Sequence, residues 1–486
     1  MNKKYLRFIF ILLLPFLGVN CRRDLPVMDG SGYPKRIAKI ILTQCVVPGC
    51  HTEASREGAG GLCLSTWDKL FEGGMNNSSV IPFRPDQSFF FFAINTFPDL
   101  GPCLNPPMPA GRSSLDRQDV ILIRDWIAAG APSESGQVKF SGNPGRKKLY
   151  VANQGCDLVT VFDLETKLVM RCIDVGNSPS TESPHDIQVS PDGQNWYVSF
   201  FANGVFQKYS ASGDVKTGEI DLSDPSWHSM TISPDSKYAV ISHLASDGKV
   251  ALVSLSDMKL VAKYSGSGLF VYPHGCAFNK SSLIFYTVSL LGNFVYKTDI
   301  SNPADPVISQ VPLQPGEVPS PYGQEKPYEV DFTPDFSRYV VTCQGTLDVR
   351  IFDAGTDSLM QSIPATGIPQ TMAFSADNHY VFVTNMEDSS LAGTRSSVDI
   401  IDLKTMSKAF TVFPGYQPRG LAVDDDHRVV YIADRNVTPA GPQPHHTTAC
   451  KGKSGYITML DMNTMQMIST WRTEVSVDPY SMAIRK

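Results

Sequence analysis

The chain has 486 residues, 42% hydrophobic and 19% charged, which is too long for one small domain and points to two or three packed units. A formal net charge of −6 excludes electrostatic attraction to nucleic acid or to an acidic surface, so no nucleic-acid partner is expected. Residues 1–21 read as an export signal: Lys3, Lys4 and Arg7 precede an apolar run from Phe8 to Val19 that ends at Cys21. That run has about twelve residues where about twenty are needed to span a bilayer, so no membrane helix is expected in the mature protein.

Leu17-Gly18-Val19-Asn20-Cys21 resembles a bacterial lipoprotein box, which implies lipidation of Cys21 and membrane contact through the lipid alone. Plain secretion with Cys21 left free is the alternative. Arg22 is not the acidic residue of an inner-membrane retention signal, so the expected location is the outer membrane or the periplasm. Residues 22–32 read as a tether.

Ile37, Ile40 and Ile41 follow the i, i+3, i+4 spacing of an amphipathic helix that runs into Cys45. There Cys45–His51 reads CVVPGCH, in which two thiols and an adjacent imidazole are the parts needed to attach a c-type haem and bind its iron. Four residues separate the thiols where two are usual, and Pro48-Gly49 gives the longer segment a tight turn. The competing reading is a Cys45–Cys50 disulfide with an incidental His51. Met108, in Asn105–Gly111 (NPPMPAG), is the candidate second axial ligand, and its alternative is a core filler. Leu115–Ala129 predicts a closing helix with Ser114 as its N-cap and Val120, Ile121, Ile123, Trp126 and Ile127 on its apolar side. Together with LSTWDKLFEGG (64–74) and WIAAGAP (126–132), these motifs resemble the single-haem cytochrome c domains fused to other modules in bacterial envelope proteins. The resemblance covers 33–132 and implies a small all-α domain holding one covalent haem c through Cys45, Cys50, His51 and Met108. Cys63 and Cys103 remain there as either a disulfide or two unpaired thiols.

Residues 133–146 read as a linker, and a repeat follows. Segments beginning at Pro184, Trp227, Pro273, Pro327, Pro369, Pro418 and Pro479 align as PHDIQVSPDG, WHSMTISPDS, PHGCAFNKSS, PYEVDFTPDF, PQTMAFSADN, PRGLAVDDDH and PYSMAIRK. Units of about 40–50 residues with four short strands each predict a β-propeller over 147–486. The seventh copy ends the chain, whereas LYVAN (149–153) and VTVFDL (159–164) open the unit without an inner strand. The last blade is therefore expected to close from both ends, giving seven blades. LYVANQG and SPHDIQVSPDG resemble bacterial YVTN-type propellers, a likeness that implies fold and not activity.

On this architecture His185, His228 and His274 start three successive inner strands, His243 ends a second strand, and His445, His446 and Cys450 lie in an insertion, all toward one face. They are the candidate site for a second haem or a metal in the propeller; for the three inner-strand histidines a structural role is the competing reading. His379 and His427 fall in the opposite turns, and Cys156, Cys172, Cys276 and Cys343 read as buried small side chains. The combined expectation is a haem c electron-transfer protein of the cell envelope whose propeller docks a redox protein or a small-molecule substrate. Two rivals stand beside it: a catalytic propeller fed by the cytochrome segment, as in nitrite reductases, and a surface interaction lipoprotein. Enzymatic activity stays open, and would be that of an oxidoreductase.

Overall fold

The computed structural model describes residues 30–266, 268–387, 396–438, 441–442, 450 and 452–486. The expected export signal with Cys21, and His445 and His446, lie outside the described residues.

Seven four-stranded antiparallel sheets form the ring. The repeat explains the local structure. In four of the seven copies the inner strand is followed by a turn in which a hydroxyl donates to an aspartate two residues on: Ser190 to Asp192 (2.6 Å), Ser233 to Asp235 (2.7 Å), Thr333 to Asp335 (2.7 Å) and Ser375 to Asp377 (2.6 Å). The carboxylate in turn accepts a backbone N–H two residues further, as from Gln194 and Lys237, so the sequence Ser/Thr-X-Asp fixes the reversal. Second strands such as Asn195–Phe200 and Tyr238–His243 are buried through nearly their whole length because neighbouring blades cover both faces. Trp196 is fully buried and stacks on Tyr209 with ring centres 3.9 Å apart.

Ring closure follows the expectation. The C-terminal strand Pro479–Arg485 pairs antiparallel with Lys148–Asn153, so one blade is assembled from the two ends of the ring. A buried ion pair, Lys148 with Asp214 at 2.6 Å, lies beside this seam, and Asp214 also accepts from the Tyr150 hydroxyl at 2.9 Å.

The expected separate all-α cytochrome c-like domain is not what forms. Among the described residues the four α-helices α1 (Lys35–Gln44), α2 (Trp67–Leu70), α3 (Phe89–Ile94) and α4 (Arg117–Ala128) have 10, 4, 6 and 12 residues, and the rest of the segment is short 3-10 turns and loops. Gly, Pro and Asn are dense between α2 and α4, and helix-breaking residues there leave no room for long helices. The segment has no independent core either: Ile37, Trp67, Phe91 and Ile123 share one apolar cluster with Tyr150, Val159 and Trp196 of the propeller. Phe140, within the expected linker, belongs to that cluster too.

Polar contacts fasten the segment along the outer strand Leu168–Asp174 of the closing blade. Asn77 donates to the Lys167 carbonyl (2.9 Å) and to Thr473 Oγ1 (3.0 Å) and accepts from Val169 N–H (2.8 Å). Ser78 donates to the Val169 carbonyl (2.7 Å), and Arg84 reaches the Cys172 carbonyl and Asp174. The segment thereby covers an edge that would otherwise offer unpaired backbone groups.

Candidate functional site

Two cavities bring the sequence-predicted residues together, one in the N-terminal segment and one along the propeller axis. Helix α1 buries Ile37, Ala38, Ile40 and Ile41 and ends at Cys45, as its spacing predicts. The next residues fold back on themselves: Cys50 N–H donates to the Val47 carbonyl (3.0 Å) and His51 N–H to the Cys45 carbonyl (3.1 Å). Pro48 and Gly49 occupy the centre of that turn, and Gly49 has φ +83°, the left-handed value a type II turn requires at this position. The two extra residues are thus absorbed in a turn. Cys45, Cys50 and His51 line one cavity of about 440 Å³.

Met108 lines the same cavity, with Leu62, Leu64, Phe90, Ile94 and Leu104 supplying apolar walls. Its backbone N–H donates to the Ala93 carbonyl at 2.7 Å, which pins the Pro-rich loop to the end of α3. His51 Nδ1 lies 3.2 Å from the Leu62 carbonyl; with Nδ1 donating there, the Nε2 lone pair is the ring's free ligand position. Cys45 is buried, and burial pushes its thiol up to about 12, so it is protonated at neutral pH. Cys45 and Cys50 are free thiols, not a disulfide. Cys63 and Cys103 are unpaired as well, Cys63 lying against the Ser65 hydroxyl at 3.1 Å. The closing helix α4 is capped by Asp116, which accepts from Asp119 N–H at 2.8 Å, and not by Ser114. Its far end is tied down by Trp126 Nε1 donating to the Pro132 carbonyl and Trp67 Nε1 to the Ala131 carbonyl, both at 2.9 Å.

The second cavity, about 680 Å³, runs through the middle of the ring and is lined by all seven inner strands. At its insertion-side end the second residue of each aligned repeat contributes to a closed ring of side chains. Around it His185 meets Tyr480 (ring centres 4.3 Å) and His228 (4.7 Å), His228 meets His274 (5.6 Å), and His274 meets Tyr328 (4.3 Å). Arg419 completes it, lying over Tyr328 and Tyr480 at 4.6 and 4.4 Å and donating to Gln370 and both tyrosine hydroxyls. Arg435, paired with Asp478 at 2.5 Å, backs Tyr480 from outside.

Burial holds His185 and His274 well below the ordinary imidazole range and His228 at about 4, so all three are neutral at pH 7. His274 Nδ1 lies 2.9 Å from the Tyr328 carbonyl and His228 Nδ1 lies 3.0 Å from the Ser226 carbonyl. The structure therefore brings three of the predicted histidines together, but as a packed aromatic plug. His243 packs on Trp227 instead, with ring centres 5.2 Å apart. Cys450 is corrected as a candidate ligand: it forms a disulfide with Cys156, which is buried as expected and is paired. Among the described residues no three His, Cys, Asp or Glu side chains converge as a metal site. His379 and His427 lie in the opposite turns beside carboxylates, His427 Nδ1 at 2.7 Å from Asp424.

Sorting histidines alone missed what lies below the plug. Asp186, Glu329 and Asp331 line the lumen, and Asp186 accepts from Met230 N–H (2.9 Å) and Ser481 Oγ (2.8 Å). Burial raises Asp186 and Asp331 to about 6, and burial followed by the charges of those two raises Glu329 well above its ordinary value. These groups line the lumen, and the protein walls around it keep ionisation costly. The signal was in the same repeat: they are the third and fifth residues of PHDIQV and PYEVDF.

No known family profile matches the chain. A curated relative, antigen Lp49 of Leptospira interrogans serogroup Icterohaemorrhagiae serovar copenhageni (strain Fiocruz L1-130), is 32% identical over 151 residues, which is 28% of this chain and 31% of that protein. The match thus spans about a third of the relative's length. Among solved structures, a functionally unknown protein from Desulfotomaculum acetoxidans DSM 771 superposes with a TM-score of 0.52 at 14% identity, covering 69% of this chain and 98% of that one. Dihydro-haem d1 dehydrogenase NirN in complex with DHE gives a TM-score of 0.48 at 13% identity over 88% of this chain and 98% of that one. Kuenenia stuttgartiensis hydrazine synthase gives 0.48 at 16% identity over 64% of this chain and 92% of that one. At these identities the first likeness establishes the propeller fold alone, and the other two add nothing to it.

Proposed function

We propose that the N-terminal cavity holds one covalent c-type haem and that the protein is an electron-transfer protein of the cell envelope whose propeller docks a redox partner or substrate. The observation carrying this reading is that Cys45, Cys50, His51 and Met108, more than fifty residues apart in sequence at the extremes, line one largely apolar cavity. The donor set fits the group: two free thiols, an imidazole whose Nδ1 is engaged and whose Nε2 is free, and a thioether. A haem bound there supplies a one-electron couple, and a Met ligand sets its potential above that of a bis-His site.

The rest of the work falls to this chain's residues. Cys45 and Cys50 hold the porphyrin at the end of α1, with the turn between them fixing their separation. The Leu62 carbonyl orients His51, and the hydrogen bond from Met108 N–H to Ala93 holds the loop so that the thioether stays within the cavity. Leu64, Phe90 and Ile94 keep water off the inner side, whereas Met108, 38% exposed, leaves an accessible edge. Electron transfer needs no general acid or base at this edge.

Export and lipidation at Cys21 would place the chain at the outer membrane or in the periplasm, where haem attachment and the Cys156–Cys450 disulfide are both compatible with an oxidising compartment. No described helix is long and apolar enough to cross a membrane. The test is haem staining after denaturing electrophoresis of protein matured with a c-type haem assembly system. The parent chain should stain, and the double variant Cys45→Ala/Cys50→Ala should not. Equal staining of both would overturn covalent attachment at these residues.

A further inference from the structure

The N-terminal cavity has polar side chains that neither attachment nor axial ligation uses. Outside residues 44–51 they come from one short stretch, Asn76, Asn77 and Ser79, and the remaining lining is apolar or glycine. The sequence builds that stretch on a tight turn. Gly74 N–H donates to the Asn77 carbonyl (3.0 Å) and Asn77 N–H to the Gly74 carbonyl (2.9 Å), which leaves Met75 and Asn76 at the tip. Met75 N–H donates to the Gly60 carbonyl and Phe90 N–H to the Ser79 carbonyl, both at 2.8 Å, so the stretch is held between the loop at Gly60 and helix α3. None of these bonds reaches the attachment turn.

The three polar side chains differ in what engages them. Asn77 is taken by the propeller, through Lys167, Val169 and Thr473. Ser79 is buried, and its hydroxyl is held loosely, at 3.5 Å from the Leu70 carbonyl. Asn76 is exposed at the turn tip. There is room beside it: a Cβ added at Gly58 or Gly60, both in the lining, would meet nothing within 4 Å.

A c-type haem is itself two-ended: one edge carries the vinyl groups that the thiols take, and the opposite edge carries two propionate carboxylates. Those carboxylates need hydrogen-bond donors away from Cys45 and Cys50. Resting on the haem assignment, we infer that Asn76 binds the porphyrin propionates, its side-chain amide donating to a carboxylate with the Ser79 hydroxyl behind it. The lining outside residues 44–51 has no other side-chain donor free for this, because Asn77 is engaged. The propionate-binding turn is also the one that Asn77 fastens to the propeller strand Leu168–Asp174, through Val169 N–H. The acidic edge of the porphyrin is therefore assigned to the propeller side of the segment.

The experiment titrates the full chain, produced without haem attachment, with mesoporphyrin IX and with its dimethyl ester, followed by porphyrin fluorescence at neutral pH. Neither porphyrin has vinyl groups, so no thioether forms, and the two differ only in their carboxylates. The parent should bind the free acid about tenfold more tightly than the ester. Asn76→Leu should cut that ratio to under about threefold and Asn76→Asp should lower it further by repulsion, with the ester affinity held within about twofold in both. Gln44→Leu, which removes a polar lining side chain at the attachment end, should keep the parent's ratio. Asn76 is exposed, so its variants are expected to fold, as circular dichroism melts check. No preference for the free acid in the parent, an unchanged ratio in Asn76→Leu, or a preference lost only in Gln44→Leu would each overturn the inference. Haem staining of the matured parent separates the two claims: staining without acid preference overturns this inference alone, and absence of staining overturns it together with the haem assignment.

Discussion

Replacing Asn77 tests whether the N-terminal segment and the propeller are one cooperative body. The side chain is 6% exposed and makes three hydrogen bonds across the junction: to the Lys167 carbonyl, to Thr473 Oγ1 and from Val169 N–H. At a net value of about 0.5–1.5 kcal/mol each, their loss costs about 2–4 kcal/mol. Asn77 also has φ +66°, where asparagine is tolerated and alanine pays about a further 1 kcal/mol. Asn77→Ala should therefore destabilise by about 3–5 kcal/mol, and Asn77→Gly by about 1 kcal/mol less, because glycine accepts the left-handed backbone. Urea unfolding followed by tryptophan fluorescence reports both bodies, since Trp67 and Trp126 lie in the segment and Trp196, Trp227 and Trp471 in the propeller. The expected outcome is one transition moved to lower urea. Two separate transitions in the parent chain, or a cost under about 0.5 kcal/mol for both variants, would refute the reasoning.

Three further outcomes follow from the same geometry. The Cys156–Cys450 bridge closes a loop with a sequence separation of 294 residues, so on a chain-entropy account Cys156→Ser/Cys450→Ser should lose about 5 kcal/mol, and reductant should lower the melting temperature of the parent but not of the variant. Asp186 has a folded-state pKa raised to about 6, so ionising it opposes the fold: its contribution to stability is largest below about pH 4 and is lost as pH rises to about 6. Asp186→Asn should flatten urea stability across that window by about 1–2 kcal/mol. Met108→Leu should keep the covalent haem while abolishing the Met-ligated absorption signature and changing the potential, as followed by visible spectroscopy and redox titration.

How far the sequence carried varied with the physical origin of each feature. The seven blades were legible because one strand-and-turn unit repeats and the Ser/Thr-X-Asp reversal is local chemistry; the joining of Pro479–Arg485 to Lys148–Asn153 followed from a missing inner strand. The Pro48-Gly49 turn was legible for the same reason. The shape of the 33–132 segment was not. Its end motifs imply an all-α unit, but the irregular stretch between α2 and α4 and the apolar faces of α1 and α4 are completed by propeller side chains such as Tyr150 and Trp196, which no local pattern reveals. The Cys156–Cys450 bridge joins residues close only after the ring closes. Ser114 and Asp116 are both good caps, and only the backbone path selects Asp116. In the propeller, attention to histidine picked out His185, His228 and His274 but not their neighbours Tyr328, Arg419 and Tyr480 at the same repeat position, nor the acids one and three residues further on.

The most direct test of the central claim is a pyridine haemochrome spectrum with an iron count, on protein matured in a host that attaches c-type haem. The account predicts one haem per chain, with absorption shifted as two saturated vinyl groups require and no loss of haem on acid-acetone extraction. A chain that carries no haem, or that releases all of it to the solvent, would contradict the assignment of Cys45, Cys50 and His51.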